Sequence, residues 1–176
     1  MDDIVDIDND VEVHLRISNL AEFPELVPIL AQWHHEEWLK DRELAPDFDK
    51  NQSLEKRASV LRSHFVKESL PRSFVAMYYG RPIATVSLVY FGFTPEVEKR
   101  SLWLTNLYVE PELRGVGLGA LMLDYAWDYA QKYEHSLEKV MLYTRDKQDF
   151  YRKHGWQNAG SGRVQGQDVF ILSKAL

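Results

Sequence analysis

The order of apolar and polar residues predicts a strand near the start of the chain. The segment VEVHLRI (residues 11–17) alternates with a period of two, which is typical of a half-buried strand. A first helix is then predicted from about Pro24, and it ends before Pro46. Its apolar positions recur at helical spacing and share one face: Leu26, Ile29, Leu30 and Trp33.

The middle of the chain predicts a second helix and three strands. Asn51 is the expected N-cap of the helix and Pro71 its terminator. The runs SFVAMYY and IATVSLVYF, joined across Gly80, predict a hairpin, and SLWLTNLYV (residues 101–109) predicts a third strand. The apolar face of the helix consists of Leu54, Ala58, Leu61 and Phe65.

The remaining pattern predicts a long helix, a strand, a short helix and a last strand. The long helix begins near Gly117, KVMLYT and QDVFILS are strands, and the short helix runs from Asp146 to about His154. The apolar positions of the long helix are Leu118, Leu121, Met122, Tyr125, Tyr129 and Tyr133. The order β-α-α-β-β-β-α-β-α-β predicts a mixed sheet flanked by helices.

Composition predicts one globular domain. Apolar residues make up 45% of the 176 positions, and no apolar run is long enough for a membrane span. We expect an acidic, frayed tail at residues 1–10, a single domain over residues 11–176, and a cytoplasmic location. The absence of cysteine excludes disulfides and a covalent thiol intermediate.

The net charge indicates which classes of binding partner are expected. With 21 basic and 27 acidic residues the formal charge is −6, and no basic face is evident, so nucleic acid is not an expected partner. Mild acidity is compatible with a cationic small molecule or peptide.

The segment VEPELRGVGLGALMLDY (residues 109–125) has three glycines at alternate positions where a strand gives way to a helix. Free backbone N–H groups at a helix start, together with the helix dipole, attract anions, and glycine lets a phosphate approach the main chain. The alternative is a tight turn with close helix packing and no ligand. The spacing matches neither a dinucleotide-binding fingerprint nor a P-loop.

Two motifs carry a resemblance to a known family. Arg114, Gly117 and Gly119 match (Arg or Gln)-x-x-Gly-x-(Gly or Ala), and FYRKHGW (residues 150–156) is similar to F-Y-x-x-x-G-(F, Y or W). The chain resembles the GNAT superfamily of acetyl-CoA-dependent N-acetyltransferases over about residues 11–173. The resemblance implies an α/β (α+β) fold with a mixed, mostly antiparallel sheet of six to seven strands, about four helices, and a splayed strand pair that holds acetyl-CoA.

The resemblance also implies the cofactor site. The backbone of residues 114–120 would bind the pyrophosphate, and the strand edge at residues 107–109 would pair with the pantetheine. Thr144 stands where many members have asparagine, and YTRDKQDFY resembles a T-x-D-x-x-x-F-Y variant that occurs in actin N-terminal acetyltransferases. The implied cofactor-binding residues are Leu107, Tyr108, Val109, Arg114, Gly115, Val116, Gly117, Leu118, Gly119, Ala120, Thr144 and Asp146. Asp146 is equally well explained as the N-cap of the short helix.

Tyr151 matches the family's tyrosine that protonates the departing thiolate or holds it by a hydrogen bond. Many members also carry a glutamate base on the fourth strand, but here Thr105 and Asn106 occupy its neighbourhood and neither is a base. The proton therefore goes to a water relay, or to a carboxylate or imidazole elsewhere.

The acceptor side is expected at WHHEEWLKD (residues 33–41), since this helix lines the acceptor pocket in the family. The candidate substrate residues are Trp33, His34, Glu37, Trp38 and Thr105. The alternative is an ordinary polar helix face. HHEE lacks the His-x-x-x-His spacing of a zinc helix, so no metal is predicted.

The predicted function is transfer of the acetyl group of acetyl-CoA to a primary amine, foremost a small molecule, by direct attack in a ternary complex. One alternative is acetylation of peptide N-termini. Another is a non-catalytic acyl-CoA-binding regulatory module. The chain is expected to be a monomer or a homodimer.

Overall fold

The computed structural model describes residues 14–91 and 100–176, which form one sheet with helices on both faces. The strands are β1 (Leu15–Asn19), β2 (Arg72–Tyr78), β3 (Arg81–Phe91), β4 (Ser101–Val109), β5 (Lys139–Thr144), β6 (Gln157–Val164) and β7 (Gln167–Ala175). The helices are α1 (Val27–Leu39), α2 (Lys50–Ser63), α3 (Leu118–Tyr133) and α4 (Gln148–Lys153). Short 3-10 turns lie at Leu20–Glu22, Pro24–Leu26 and Pro111–Leu113.

The sheet order is β1-β2-β3-β4-β5-β7-β6. All neighbouring strands are antiparallel except β4 and β5, which are parallel. The predicted mixed, mostly antiparallel sheet with about four helices is therefore confirmed.

Each face of the sheet has its own core. Phe74 of β2 packs against α3, where the rings of Tyr125 and Tyr129 lie edge-on to it at 5.1 and 4.8 Å. The next residue, Val75, packs with α1 and α2 on the opposite face. Because successive side chains of a strand point to opposite faces, the central strands are buried on both sides.

Two helices bury a different face from the one predicted. In α1, Ile29 is 44% exposed while His34 and His35 are buried, because hydroxyl groups of neighbouring elements lie within hydrogen-bond distance of both imidazoles. In α3, Leu121 and Tyr133 are each 41% exposed. The small side chains of Ala126 and Ala130 instead allow this helix to approach the sheet closely, and the tyrosines move towards the rim.

Several predicted boundaries are corrected. Asp49, not Asn51, caps α2, since its carboxylate accepts the N–H groups of Asn51 and Gln52. The helix ends at Ser63, well before Pro71. Residue Lys147 occupies the N-cap position of α4, so Asp146 is not its cap.

Strand β6 was absent from the predicted order of elements. Its sequence, QNAGSGRV, is largely exposed, and among the described strands it pairs with β7 alone, so it has no alternation of apolar residues to reveal it. At the other end, β1 begins at Leu15. Residues 11–13 of the predicted first strand and the predicted acidic tail lie outside the described residues.

Candidate active site

A cleft opens where β4 and β5 separate. The two strands pair only at Leu102 with Val140 and at Trp103 with Met141. Beyond this point a cavity of about 240 Å³ lies between residues 104–108 of β4 and residues 143–147, which include the end of β5 and the turn after it. Its lining includes Tyr151 of α4 and residues of α1 from the other helical layer, so the cleft connects the two faces of the sheet.

A bulge shapes the β4 wall of this cleft. Asn106 and Leu107 together stand opposite Val86 alone, and Asn106 has a left-handed backbone with φ of 56°. Asparagine tolerates this conformation better than most residues do. The Thr85 hydroxyl donates to the Asn106 carbonyl at 2.9 Å, which holds the bulge in place.

The glycine-rich loop presents a row of free donors at the start of α3. The first helical hydrogen bond runs from the N–H of Leu121 to the carbonyl of Gly117 at 3.0 Å. Within the described residues, no N–H group from Gly115 to Ala120 donates a hydrogen bond, whereas the N–H of Arg114 reaches Pro111 at 3.4 Å. Six consecutive donors at the positive end of a 16-residue helix form an arrangement that attracts anions.

The glycines of this loop have two different roles. Gly115 and Gly117 have φ values of 82° and 95°, and a Cβ added to either would meet no protein atom within 4 Å. At Gly119 a Cβ would lie 3.6 Å from the Phe150 ring. Gly115 and Gly117 therefore allow the left-handed turn and leave its surface open, whereas Gly119 lies within α3, where an added Cβ would be in ordinary van der Waals contact with Phe150.

Arg114 links the end of β4 to α1 through a hydrogen bond and an ion pair. Its Nε donates to the Val109 carbonyl at 2.9 Å, and its guanidinium lies over the Tyr108 ring and 3.5 Å from the Glu37 carboxylate. The positive potential of the loop thus comes from its backbone. Glu37 is correspondingly held in an ion pair at the cleft wall.

Tyr151 lies at the α4 side of the cleft and is only 8% exposed. Burial raises its pKa to about 12, so the hydroxyl stays protonated at neutral pH. Among the described residues this hydroxyl has no hydrogen-bond partner. Thr144 and Asp146 also line the cleft, and the Thr144 hydroxyl accepts the N–H of Lys147 at 3.0 Å.

His34 supports the bulge from the α1 side. Its Nε2 is 2.8 Å from the Thr85 hydroxyl, whose only proton is donated to Asn106, so Nε2 is the donor. Burial lowers the pKa of His34 to about 3 and keeps the ring neutral. His34 therefore positions α1 on the bulge, and its Nε2 is not free to accept a proton.

The other candidate substrate residues are divided between the cleft and its surroundings. Trp38 and Thr105 line the cleft, whereas the Trp33 ring stacks on Tyr108 at 5.2 Å and is absent from the lining. The Trp38 ring contacts two guanidinium groups, those of Arg42 and Arg145, at 5.6 and 5.5 Å.

A second hydrogen-bond chain reaches the bulge from the α2 side. His64 Nδ1 lies 2.7 Å from the Ser73 hydroxyl, which lies 2.7 Å from that of Ser87. The Asn106 amide then donates to Ser87 at 3.4 Å. Burial lowers the pKa of His64 to about 4, so this imidazole is also neutral. These residues come from separate elements, and no local pattern in the sequence connects them.

The two neutral histidines predict loss of stability in mild acid. Burial lowers their pKa values from the ordinary 6.5 to about 3 and about 4, so the unfolded chain binds more protons just below pH 6.5. The contribution of each neutral histidine to the free energy of unfolding is therefore complete above pH 6.5. Below that pH the free energy of unfolding decreases by up to about 1.4 kcal/mol per pH unit for each histidine. Urea unfolding between pH 7 and pH 5 measures this slope.

Single substitutions separate the contributions of the two histidines. In His64→Gln the pH dependence of the unfolding free energy is expected to be smaller by ~1.4 kcal/mol per pH unit, which corresponds to the uptake of about one proton on unfolding. Replacing the exposed His135 by Gln is the matched control and keeps the wild-type slope. An unchanged slope in His64→Gln contradicts the assignment of a neutral, buried imidazole.

The residues of the cleft wall that sequence reasoning missed include Arg57, Tyr143 and Arg145. Arg145 donates to the carbonyls of Lys40 and Glu37 and to the Gln167 amide, and so ties the end of β5 to α1. Arg57 lies on α2, where the sequence shows it as one more residue of a polar helix face. No signal in the sequence distinguishes it from its neighbours.

Comparison with known proteins identifies the fold and the family. The acetyltransferase (GNAT) family model matches residues 24–156. The chain belongs to the GNAT acetyltransferase family. Membership supports acetyl transfer from acetyl-CoA, and the glycine loop and most of the cleft lie within the matched residues.

Solved structures agree with this GNAT fold at low sequence identity. A predicted acetyltransferase from Clostridium acetobutylicum with acetyl-CoA is 20% identical with a TM-score of 0.62, over 85% of this chain and 94% of that one. Arabidopsis thaliana Naa50, in complex with the bisubstrate analogue CoA-Ac-MVNAL, is 12% identical with a TM-score of 0.59, over 93% and 99%.

A third similar structure is a single-site mutant of the spermidine N-acetyltransferase SpeG from Vibrio cholerae. It is 16% identical with a TM-score of 0.63, over 93% of this chain and 94% of that one. At such low sequence identity, the similarity to these structures supports the fold alone. No curated protein sequence matches the chain.

Neither a metal site nor a membrane-spanning helix is found among the described residues. They contain no group of three or more His, Asp or Glu side chains arranged to hold a metal ion. Nor do the helices at residues 14–91 and 100–176 include one that is long and apolar enough to cross a membrane.

Proposed function

We propose that the protein is an N-acetyltransferase that transfers the acetyl group of acetyl-CoA to a small primary amine by direct attack in a ternary complex. The observation that carries this proposal is the row of free N–H groups from Gly115 to Ala120, next to a strand that turns away from its neighbour. This row suits a diphosphate, and the unpaired strand edge suits an extended amide chain. Both are parts of coenzyme A.

The chain offers one binding element for each part of the coenzyme. The loop amides bind the diphosphate through charge-assisted hydrogen bonds. The β4 edge at Leu107, Tyr108 and Val109 pairs with the amides of the pantetheine, as in strand addition. Thr144 and Asp146 line the facing wall.

In the reaction the amine nitrogen forms a bond to the acetyl carbonyl carbon, and the carbon–sulfur bond breaks with its electron pair remaining on sulfur. Tyr151 donates a hydrogen bond to the resulting thiolate. With its pKa raised to about 12, against about 8.5 for an ordinary protein thiol, the tyrosine retains most of its proton. Its contribution is therefore stabilisation of the developing charge.

The amine must lose a proton, and the site disfavours the charged ammonium form. Lys56 and Arg57 line the adjoining acceptor cavity, and nearby positive charge lowers the pKa of an amine. A solvent-connected water is then the acceptor for the proton, since Thr105 and Asn106 are not bases and His34 donates through Nε2.

A small acceptor is favoured over a peptide by the size of this side of the cleft. The acceptor cavity measures about 200 Å³, and Trp38 lines the adjacent cleft. Acetylation of peptide N-termini stays an alternative, because the Naa50 structure holds a peptide-based bisubstrate analogue.

An acetylation screen tests the proposed function. The protein is incubated with acetyl-CoA and polyamines, amino acids, aminoglycosides or peptides, and products are detected by mass spectrometry. We expect one acetyl group on a small amine, with free CoA released in equal amount. Binding of acetyl-CoA without a product from any amine contradicts the proposal and favours the non-catalytic regulatory module.

A further inference from the structure

The cavity on the acceptor side carries positive charge and no acidic side chain from the described residues. It lies between α2 and the strands β3, β4 and β5, and it shares Arg57, Thr105 and Asn106 with the cleft. Its charged lining residues are Lys56 and Arg57, and it has no Asp or Glu among the described part of the chain. This is unexpected in a chain of net charge −6.

Arg57 differs from the other arginines around the cleft because it has no partner within residues 14–91 and 100–176. Arg42 donates to the Gln165 carbonyl, Arg114 to the Val109 carbonyl, and Arg145 to α1. Arg57 makes no hydrogen bond and no ion pair there, although it is half-buried. A half-buried guanidinium without a partner is costly, and an anion that binds it recovers this cost.

The neighbouring groups reinforce the positive potential. The pKa of Arg57 is lowered, chiefly by burial and also by the positive charge of Arg42, while Tyr143 opposes this shift, so a second positive charge acts on this guanidinium. The indole N–H of Trp38, a residue of the adjoining cleft, is buried with no acceptor among the described residues. The positive charge of the acceptor cavity suits a ligand with acceptor oxygens and repels a polycation.

We propose that the acceptor is a small primary amine that carries a carboxylate, and that Arg57 binds this carboxylate. The planar fork of a guanidinium matches the two oxygens of a carboxylate. Because Arg57 lines the same cavity as the β4 bulge, a short amine held there directs its nitrogen towards Thr105 and Asn106 at the cleft. This inference rests on the proposed function and names the substrate class.

The test compares each acid with its neutral amide under saturating acetyl-CoA. The pairs are glycine with glycinamide, β-alanine with 3-aminopropanamide, and γ-aminobutyrate with 4-aminobutanamide, and spermidine and phosphoethanolamine are added. For at least one chain length we expect kcat/KM of the acid to exceed that of its amide by ~10- to 100-fold, the size expected for a charge-assisted hydrogen bond.

Variants of α2 assign this preference to Arg57. In Arg57→Gln the KM for the acid should rise by ~10-fold or more and the preference for the acid over its amide should be lost, while the KM for acetyl-CoA changes little. Arg57→Lys should restore part of the preference, and Arg62→Gln, at an exposed position of the same helix, should behave as wild type. Thermal unfolding confirms that each variant is folded.

Failure of the carboxylate assignment can be distinguished from failure of the proposed acetyltransferase function. Absence of any acetylated product overturns the N-acetyltransferase itself. Preference for an amide, spermidine or phosphoethanolamine overturns the carboxylate assignment while leaving the enzyme. An acid preference that persists in Arg57→Gln overturns the role of Arg57, and so does a rise confined to the KM for acetyl-CoA.

Discussion

Gly117→Glu is expected to weaken binding of acetyl-CoA by about 10²- to 10⁴-fold, the loss of two charge-assisted hydrogen bonds of ~1.5–3 kcal/mol each. At Gly117 a side chain points into space free of protein atoms, within the row of free N–H groups. A carboxylate there competes for these donors and repels a diphosphate. Isothermal titration calorimetry measures the change directly.

Two matched variants separate repulsion from backbone strain. Gly117→Ala incurs the strain of the left-handed φ of 95°, about 1–2 kcal/mol, but adds no charge, so it should lose far less affinity. Gly80→Glu places a carboxylate at φ 76° in the β2–β3 turn, also with open space around it, and should bind acetyl-CoA as wild type does. Retained affinity in Gly117→Glu contradicts the diphosphate site.

Tyr151→Phe is expected to lower kcat by about 10²- to 10³-fold, the range for loss of one hydrogen-bond donor to a developing negative charge. The ring that packs beside Phe150 and Trp156 is retained, and within the described residues the lost hydroxyl has no hydrogen-bond partner. The dissociation constant of acetyl-CoA and the unfolding temperature should therefore stay close to wild type. Steady-state kinetics, calorimetry and a thermal melt measure the three quantities.

A second tyrosine provides the control for removal of a hydroxyl. Tyr125 also packs in the α3 core, against Phe74, but does not line the cleft. Tyr125→Phe should leave kcat unchanged. A kcat of Tyr151→Phe equal to that of wild type excludes a role for this hydroxyl in the reaction.

The two strands that build the cleft could be predicted from the local sequence. The runs at residues 101–109 and 139–144 correspond to β4 and β5 residue for residue, since β-branched and aromatic residues are frequent in them and Pro111 follows the first. The motif around Gly117 likewise indicated where α3 begins. The local sequence was therefore sufficient to predict these elements.

Other features depend on contacts between distant segments. His34 counts as polar in any pattern, yet it is buried because Thr85, 51 residues away, satisfies its Nε2. Whether Arg57 has a hydrogen-bond or ion-pair partner depends on how α2, β4 and β5 pack together. The identity of an unpaired side chain is a property of the assembled cavity, so it could not be predicted from spacing or composition.

The central claim is that the backbone amides from Gly115 to Ala120 bind the diphosphate of the coenzyme. The most direct measurement is a ¹H–¹⁵N NMR titration of the labelled protein with acetyl-CoA, with pantetheine, which lacks the diphosphate, as the comparison. We predict large downfield shifts of these amides with acetyl-CoA and much smaller ones with pantetheine. Amides of this loop that stay unshifted at saturating acetyl-CoA would contradict the account.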